Sequence, residues 1–279
     1  MLIRISLCVS TLLLAGALRG FAQELTLPTL VLENDTSIAQ AMPVLAKQAI
    51  AVYQELPREK FLNVVFRMQV VAGAYAQASS SLTELMALRK ITDSMGVPRL
   101  LPFAIEAKSR ARELSTNILF DEAFRQEFRQ TFSQFDNMRA AEALPWFGGN
   151  LNRARNDFRA ALEKHKGKGS ITLTDAIDLL RKYHFFRSLD AWVRLVDSLA
   201  AEDDARRYIV DKDVTIMTPD KTHLSAILVR PKSAQETRPS LLRFTIYAEE
   251  PPDVAQPRTS AAHGYAAVVA FTRGKAHSP

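Results

Sequence analysis

Arg238-Pro239-Ser240-Leu241-Leu242-Arg243-Phe244-Thr245-Ile246-Tyr247 and His263-Gly264-Tyr265-Ala266-Ala267-Val268-Val269-Ala270-Phe271-Thr272-Arg273-Gly274 are the two stretches on which the fold of this chain turns. Each is an apolar run of strand length closed by a turn signal. The Pro-rich polar segment between them is long enough for a crossover carrying a short helix, as parallel neighbours require. The pair therefore predicts a βαβ unit. Ahead of it, Tyr208-Ile209-Val210 and Val214-Thr215-Ile216-Met217 lead to Thr218-Pro219-Asp220-Lys221 and then to a run from His223 to Pro231. Strand, Pro-Asp turn and strand predict a hairpin.

The conjunction of hairpin, strand ending in Thr-x-Tyr, crossover and second strand resembles one family of serine hydrolases, the cocaine esterases and X-Pro dipeptidyl-peptidases (CocE/NonD). Gly264-Tyr265-Ala266-Ala267-Val268-Val269 followed by Thr272-Arg273-Gly274 is similar to one strand of that family. Thr245-Ile246-Tyr247 stands where the family has Thr-Pro-Tyr, with Ile in place of Pro. Asp220, Leu224, Ala226, Leu228, Arg230 and Pro231 fit the family's first hairpin, with Lys221 where Gly is usual, which suggests another turn geometry. The resemblance covers about the last quarter of the chain. It implies a fold class of a mainly α N-terminal domain followed by the first strands (hairpin plus βαβ) of an α/β-hydrolase domain. It also implies cleavage of ester or amide bonds, of acyl esters or X-Pro peptides, without a cofactor. Tyr247 is the site residue it carries over. The loop after the third strand of such enzymes contributes to the oxyanion hole, and a phenol there would donate to the oxyanion, an interaction worth about 3 to 4 kcal/mol.

The attacking group is missing from these residues. No serine has the flanking glycines of a Gly-x-Ser-x-Gly elbow, and none of His165, His184, His223, His263 and His277 sits in a recognisable triad context. The chain reads as the front part of a larger hydrolase, inactive alone, with residues 208–279 an incomplete hydrolase domain. If its strands follow hydrolase order, the third should lie at an open edge with apolar surface uncovered.

Composition narrows the partners. With 279 residues and 47% hydrophobic content, one or two domains with a substantial core are expected. Arg4, the apolar run Ile5 to Leu18 and Gly20-Phe21-Ala22 before Gln23 read as a cleavable secretory signal over residues 1–22. The run falls short of the ~20 residues a membrane span needs. Cys8 lies inside it, so the mature chain would lack cysteine, and a periplasmic or secreted bacterial protein without a stable membrane anchor is expected. Met1 to Ala22 holds Arg4 and Arg19 and no acid, so removing it lowers the formal charge from +6 to +4. The cations are interleaved with acids along helical faces, which argues against a nucleic-acid partner. Glu202-Asp203-Asp204 with Arg206-Arg207 reads as a solvated helix end.

Residues 23–34 read as a linker and 35–207 as an irregular helical domain without a fixed repeat. Helix one carries Ile38, Met42, Leu45, Ala49 and Tyr53 behind Asp35, Thr36 and Ser37, and either kinks or begins at Pro43. A second helix starts at Pro57. Ser79-Ser80-Ser81 reads as a break, with Ser81 and Glu84 capping a third helix through Ile91. A fourth covers Pro102 to Leu114. Phe120, Phe124, Phe128, Phe132 and Phe135 fall on one face of a fifth, a stripe that suits core packing. Leu151 to Lys164 follows, and a last helix runs from Thr172 or Thr174 to about Arg207. His184 stands on its apolar side as a hydrogen-bonded core or boundary residue. Neither a His-x-x-His nor a Glu-x-x-His pair suggests a metal. The helices would border the hydrolase cleft or mediate homo-oligomerisation. The competing reading is a non-catalytic periplasmic binding or assembly module.

Overall fold

The computed structural model describes residues 24–27, 34–92, 96–233, 237–247 and 255–279. Within it, β1 (Glu24–Thr26) pairs antiparallel with β2 (Ser170–Thr172), and α1 (Asp35–Val52), α2 (Arg58–Val71), α3 (Tyr75–Thr92), α4 (Leu101–Thr116), α5 (Phe120–Ser133), α6 (Asn137–Ala143), α7 (Leu151–Glu163) and α8 (Leu173–Arg207) form the helical part. A mixed sheet of β3 (Tyr208–Met217), β4 (His223–Pro231), β5 (Ser240–Thr245) and β6 (Ala266–Phe271) follows, with α9 (Ala255–Ala262) between β5 and β6. The proposed signal, residues 1–22, lies outside the described residues. Part of the stretch read as a linker is ordered, since Leu25 and Leu27 are buried and the Leu27 amide donates to the Gly169 carbonyl at 3.0 Å.

The organising helix is α8. Its first turn is capped by the Thr172 hydroxyl, which accepts from the Asp175 amide. Its N-terminal half supplies Leu179, Leu180 and Tyr183 to a core shared with α1, α2 and α7, and its C-terminal half supplies Leu189, Trp192, Leu195 and Leu199 to a core shared with α4 and α5. The phenylalanine stripe of α5 packs as its four-residue spacing demands from Phe120 to Phe132, whereas Phe135, expected on the same helix, lies beyond its end at Ser133. Phe128 and Phe132 stack at 4.1 Å, Phe147 meets Phe128 edge-on at 5.3 Å, and the Trp192 indole donates to the Phe147 carbonyl at 3.0 Å. Burial of each such ring stabilises by about 1.5 to 3 kcal/mol.

Several local expectations are corrected. The cap of α1 is Asn34, whose side chain accepts from the Ser37 amide, and the helix begins well before Pro43 and passes through it. Pro57 is the cap of α2, not its first residue. The serine run does not break α3. Its hydroxyl groups turn back onto the helix, Ser80 donating to the Ala76 carbonyl at 3.2 Å and Thr83 to that of Ser79 at 2.9 Å. The break lies earlier, at Gly73, whose φ of +78° reverses the chain after α2. Glu84 pairs with Arg58 at 2.7 Å instead of capping. Between α6 and α7 the chain needs Gly149, because a Cβ there would meet the Leu189 side chain of α8 at 2.9 Å.

Of the charged run at the end of α8, Glu202 and Arg206 are exposed as a solvated end would be, whereas the other three residues form a junction. Asp203, Asp204 and Arg207 are buried. Arg207 Nε donates to Asp203 at 2.6 Å, and its Nη atoms donate to the carbonyls of Phe135 and Phe132 at 2.8 and 2.5 Å. Arg258 of α9 reaches Asp204 with two bonds of 2.9 and 2.6 Å. Sequence neighbours could not reveal this, because the partners come from α5, α6 and α9. The sheet is thus fastened to the helices by buried charge, and β3 follows α8 without an intervening residue.

The four-stranded sheet has the order β3-β4-β6-β5. β3 and β4 form the predicted antiparallel hairpin, with a register shift between Asp211 and Val214 where the two runs of β3 were expected to part. Lys221 adopts φ +66°, the left-handed conformation that glycine takes at least cost. β6 pairs antiparallel with β4 and parallel with β5, from Ser240 opposite Ala266 to Thr245 opposite Phe271. Ile227, Val229, Val269, Phe271, Tyr208 and Ala261 make a small core between sheet and α9. β5 is outermost, and Leu242 and Phe244 remain 68% and 58% exposed.

Candidate functional site

Because β5 and β6 are parallel, Thr245-Ile246-Tyr247 and Thr272-Arg273-Gly274 emerge side by side from one end of the sheet. Thr245 is buried and directs the chain there. Its carbonyl accepts from the Thr272 amide at 3.1 Å, extending the ladder, and its hydroxyl accepts from the Tyr247 amide at 3.0 Å. The Tyr247 ring then stands 78% exposed at the strand end. No hydrogen bond joins its hydroxyl to another group among the described residues, leaving the phenol O–H free to donate.

The neighbouring surface is braced. Ser278 folds back so that its hydroxyl donates to the Phe271 carbonyl at 3.2 Å and accepts from the Ser225 amide at 2.9 Å. Arg273 pairs with Asp220 of the hairpin turn, and the Thr218 hydroxyl and that guanidinium hold the Asp220 carboxyl far below the usual carboxylate range. His223 begins β4, and the His277 amide donates to Ser225 at 3.2 Å, so both lie toward this end of the sheet. A free phenol at the end of a paired, braced strand can stabilise negative charge on a carbonyl oxygen. By itself it offers neither nucleophile nor base.

A second polar site lies between α4 and α8, where a cavity of about 510 Å³ is lined by Pro43, Tyr75, Glu106, Arg110, Tyr183, His184, Arg187 and Ser188, among others. Glu106 is buried and accepts from the Ser188 hydroxyl at 2.6 Å. Desolvation pushes its carboxyl up to about 7, against the opposing pull of Ser188, Arg110 and Arg187. His184 is core, as expected, but not hydrogen-bonded, since neither ring nitrogen has a partner among the described residues. Its ring packs against Phe103 at 5.0 Å and edge-on to Phe66 at 5.7 Å. Burial, reinforced by Arg67, pushes it well below the ordinary histidine value and keeps it neutral. Serine, histidine and acid are therefore neighbours without forming a relay: Ser188 is spent on Glu106, and His184 faces rings. Glu106 carried a signal in the sequence, being a lone acid within Phe103-Ala104-Ile105-Glu106-Ala107.

Among the described residues no group of three or more His, Cys, Asp and Glu could hold a metal ion, and no helix is long and apolar enough to cross a membrane. Comparison with known proteins finds no family model, no curated protein and no solved structure that matches this chain.

Proposed function

We propose that the sheet is the opening portion of the catalytic domain of an exported serine hydrolase of the cocaine esterase and X-Pro dipeptidyl-peptidase type, cleaving ester or amide bonds through an acyl-enzyme. The observation that carries this reading is the place of β5. It is third of the four strands in sequence yet outermost, and it is parallel to its one neighbour, with Leu242 and Phe244 uncovered. A sheet edge of that kind calls for a further strand. In the proposed enzyme that strand carries the nucleophilic serine on its elbow, at the same end of the sheet where Tyr247 emerges.

In this mechanism the serine hydroxyl, relieved of its proton by a histidine base, adds to the substrate carbonyl. Negative charge moves onto the carbonyl oxygen, and the Tyr247 O–H shortens its hydrogen bond to that oxygen as the charge develops. Collapse expels the alcohol or amine, and water repeats the sequence on the acyl-enzyme. Tyr247 transfers no proton. The helical part, tied to α9 beside the sheet by the Arg258–Asp204 pair, borders the cleft.

The reading frame beyond codon 279 provides the first test: a strand followed by Gly-x-Ser-x-Gly supports the proposal, and an immediate stop or unrelated sequence overturns it. In an active protein of this frame, Tyr247→Phe should lower kcat by about 10²-fold or more with little change in KM. An unchanged kcat would remove Tyr247 from the mechanism.

A further inference from the structure

We infer that the helical part binds a small aromatic oxyanion, an aryl carboxylate or aryl phosphate, in the cleft that α2 forms with α8 and the segment around Trp146. This cleft has a volume of about 620 Å³, within the range of pockets for small molecules. Arg67, Arg89, Arg99, Arg181 and Lys182 line it, against a single acid, Asp157.

The cations are not equally neutralised. Arg89 pairs with Glu59 at 3.1 Å and Arg181 with Asp178 at 3.1 Å. Arg67, at the back, has no carboxylate partner among the described residues. Its guanidinium lies over the rings of Phe66 and Phe103, at 4.4 and 5.3 Å from their centroids, and its Nε donates to the Asn63 carbonyl at 3.1 Å. That leaves both terminal nitrogens of the fork without an acceptor among the described residues. The same desolvation, with Arg181 and Arg89 adding their charge, lowers the Arg67 pKa to about 10. A guanidinium held in this way, between aromatic rings and beside like charges, gains most from an oxyanion that accepts two parallel N–H bonds.

The mouth of the cleft specifies the rest of the ligand. Trp146 and Phe185 are each 43% exposed, and the Arg99 guanidinium lies 4.7 Å from the Trp146 ring centroid. Two solvent-facing rings and a cation stacked on one of them suit a flat aromatic body, whose negative head then reaches Arg67. Arg99, on an exposed 3-10 turn, closes the outer side.

Trp146 makes the test direct, because the only other tryptophan, Trp192, is buried. The full chain is titrated with phenyl phosphate, benzoate, benzyl alcohol and inorganic phosphate while tryptophan emission is followed. A saturable change with phenyl phosphate or benzoate is expected, at least about tenfold tighter than with benzyl alcohol or inorganic phosphate, the value of one charge-assisted hydrogen bond. The two aromatic anions distinguish a phosphate from a carboxylate ligand. Arg67→Met should abolish the change, Arg67→Lys should retain part of it, and the surface variant Arg99→Gln should weaken binding with the circular dichroism spectrum unaltered. Equal binding of benzyl alcohol, equal binding of inorganic phosphate, or affinity indifferent to both Arg67→Met and Arg99→Gln would overturn the inference.

Discussion

Replacing Glu106 by Gln should make this protein more stable at neutral and alkaline pH while leaving it nearly unchanged in acid. The carboxyl is buried between α4 and α8, and its pKa rises from 4.5 to about 7, chiefly because ionising it there forfeits hydration. At about 1.4 kcal/mol per pKa unit, the ionised side chain costs the fold roughly 3 kcal/mol, after the opposing help of Ser188, Arg110 and Arg187 is counted. Between pH 4.5 and 7 the unfolded chain has released this proton and the folded chain still holds it, so stability falls as pH rises across that window. The contribution is fully present below 4.5 and lost above 7. Gln keeps an oxygen to accept from Ser188 and carries no charge at any pH. Urea denaturation of both proteins at pH 4 and pH 8 measures the effect. The variant's advantage should grow by about 3 kcal/mol between the two. His184 works in the opposite sense, because its depressed pKa means stability is present above 6.5 and lost as pH falls below it. That loss is common to both proteins and cancels in the difference. A stability gap that is the same at both pH values would refute the assignment of Glu106 as a carboxyl buried at a cost.

Other perturbations test other parts of the fold. Arg258→Ala leaves Asp204 buried without its partner and should destabilise by about 3 to 5 kcal/mol in thermal unfolding; a loss below about 1 kcal/mol would mean the junction is open to water. Phe244→Lys, on the outer strand, should reduce self-association of the 279-residue chain in sedimentation velocity without lowering its melting temperature, and undiminished association would place the contact elsewhere. Lys221→Gly relieves a left-handed residue that costs an L-amino acid about 1 kcal/mol, so the variant should be as stable as the parent or slightly more so. A clear fall in its denaturation midpoint would show that the turn does not need that conformation.

What the amino-acid order revealed depended on whether a feature is periodic or assembled. The stripe from Phe120 to Phe132, the start of the last helix beside Thr172 and the strand runs of the sheet are local patterns, and each appears as expected. The crossover between Tyr247 and His263 was readable as well, since strand length and spacing require it. Ser79-Ser80-Ser81 misled because hydroxyl groups that favour turns can equally bond the preceding helical turn, and neighbouring helices decide between the two. α6 is too short for periodicity to register. Asp203, Asp204 and Arg207 at the charged end of α8 were misread because their partners Phe132, Phe135 and Arg258 lie far away in the chain. Arg67 and Glu106 were missed for the same reason, their environments being built from helices that meet only after folding. Tyr247 could be placed at a strand end from the sequence, and the structure leaves its hydroxyl free there.

The direct passage of α8 into β3 has a mechanical consequence. A rod of 35 residues, about 50 Å long, ends on Arg207, and the next residue already belongs to the sheet. No slack separates the two, so a protease seeking to divide the chain near residue 207 would find no flexible target. Tilting the far end of the rod would swing the sheet as a lever swings its load, carrying the outer strand and Tyr247 with it.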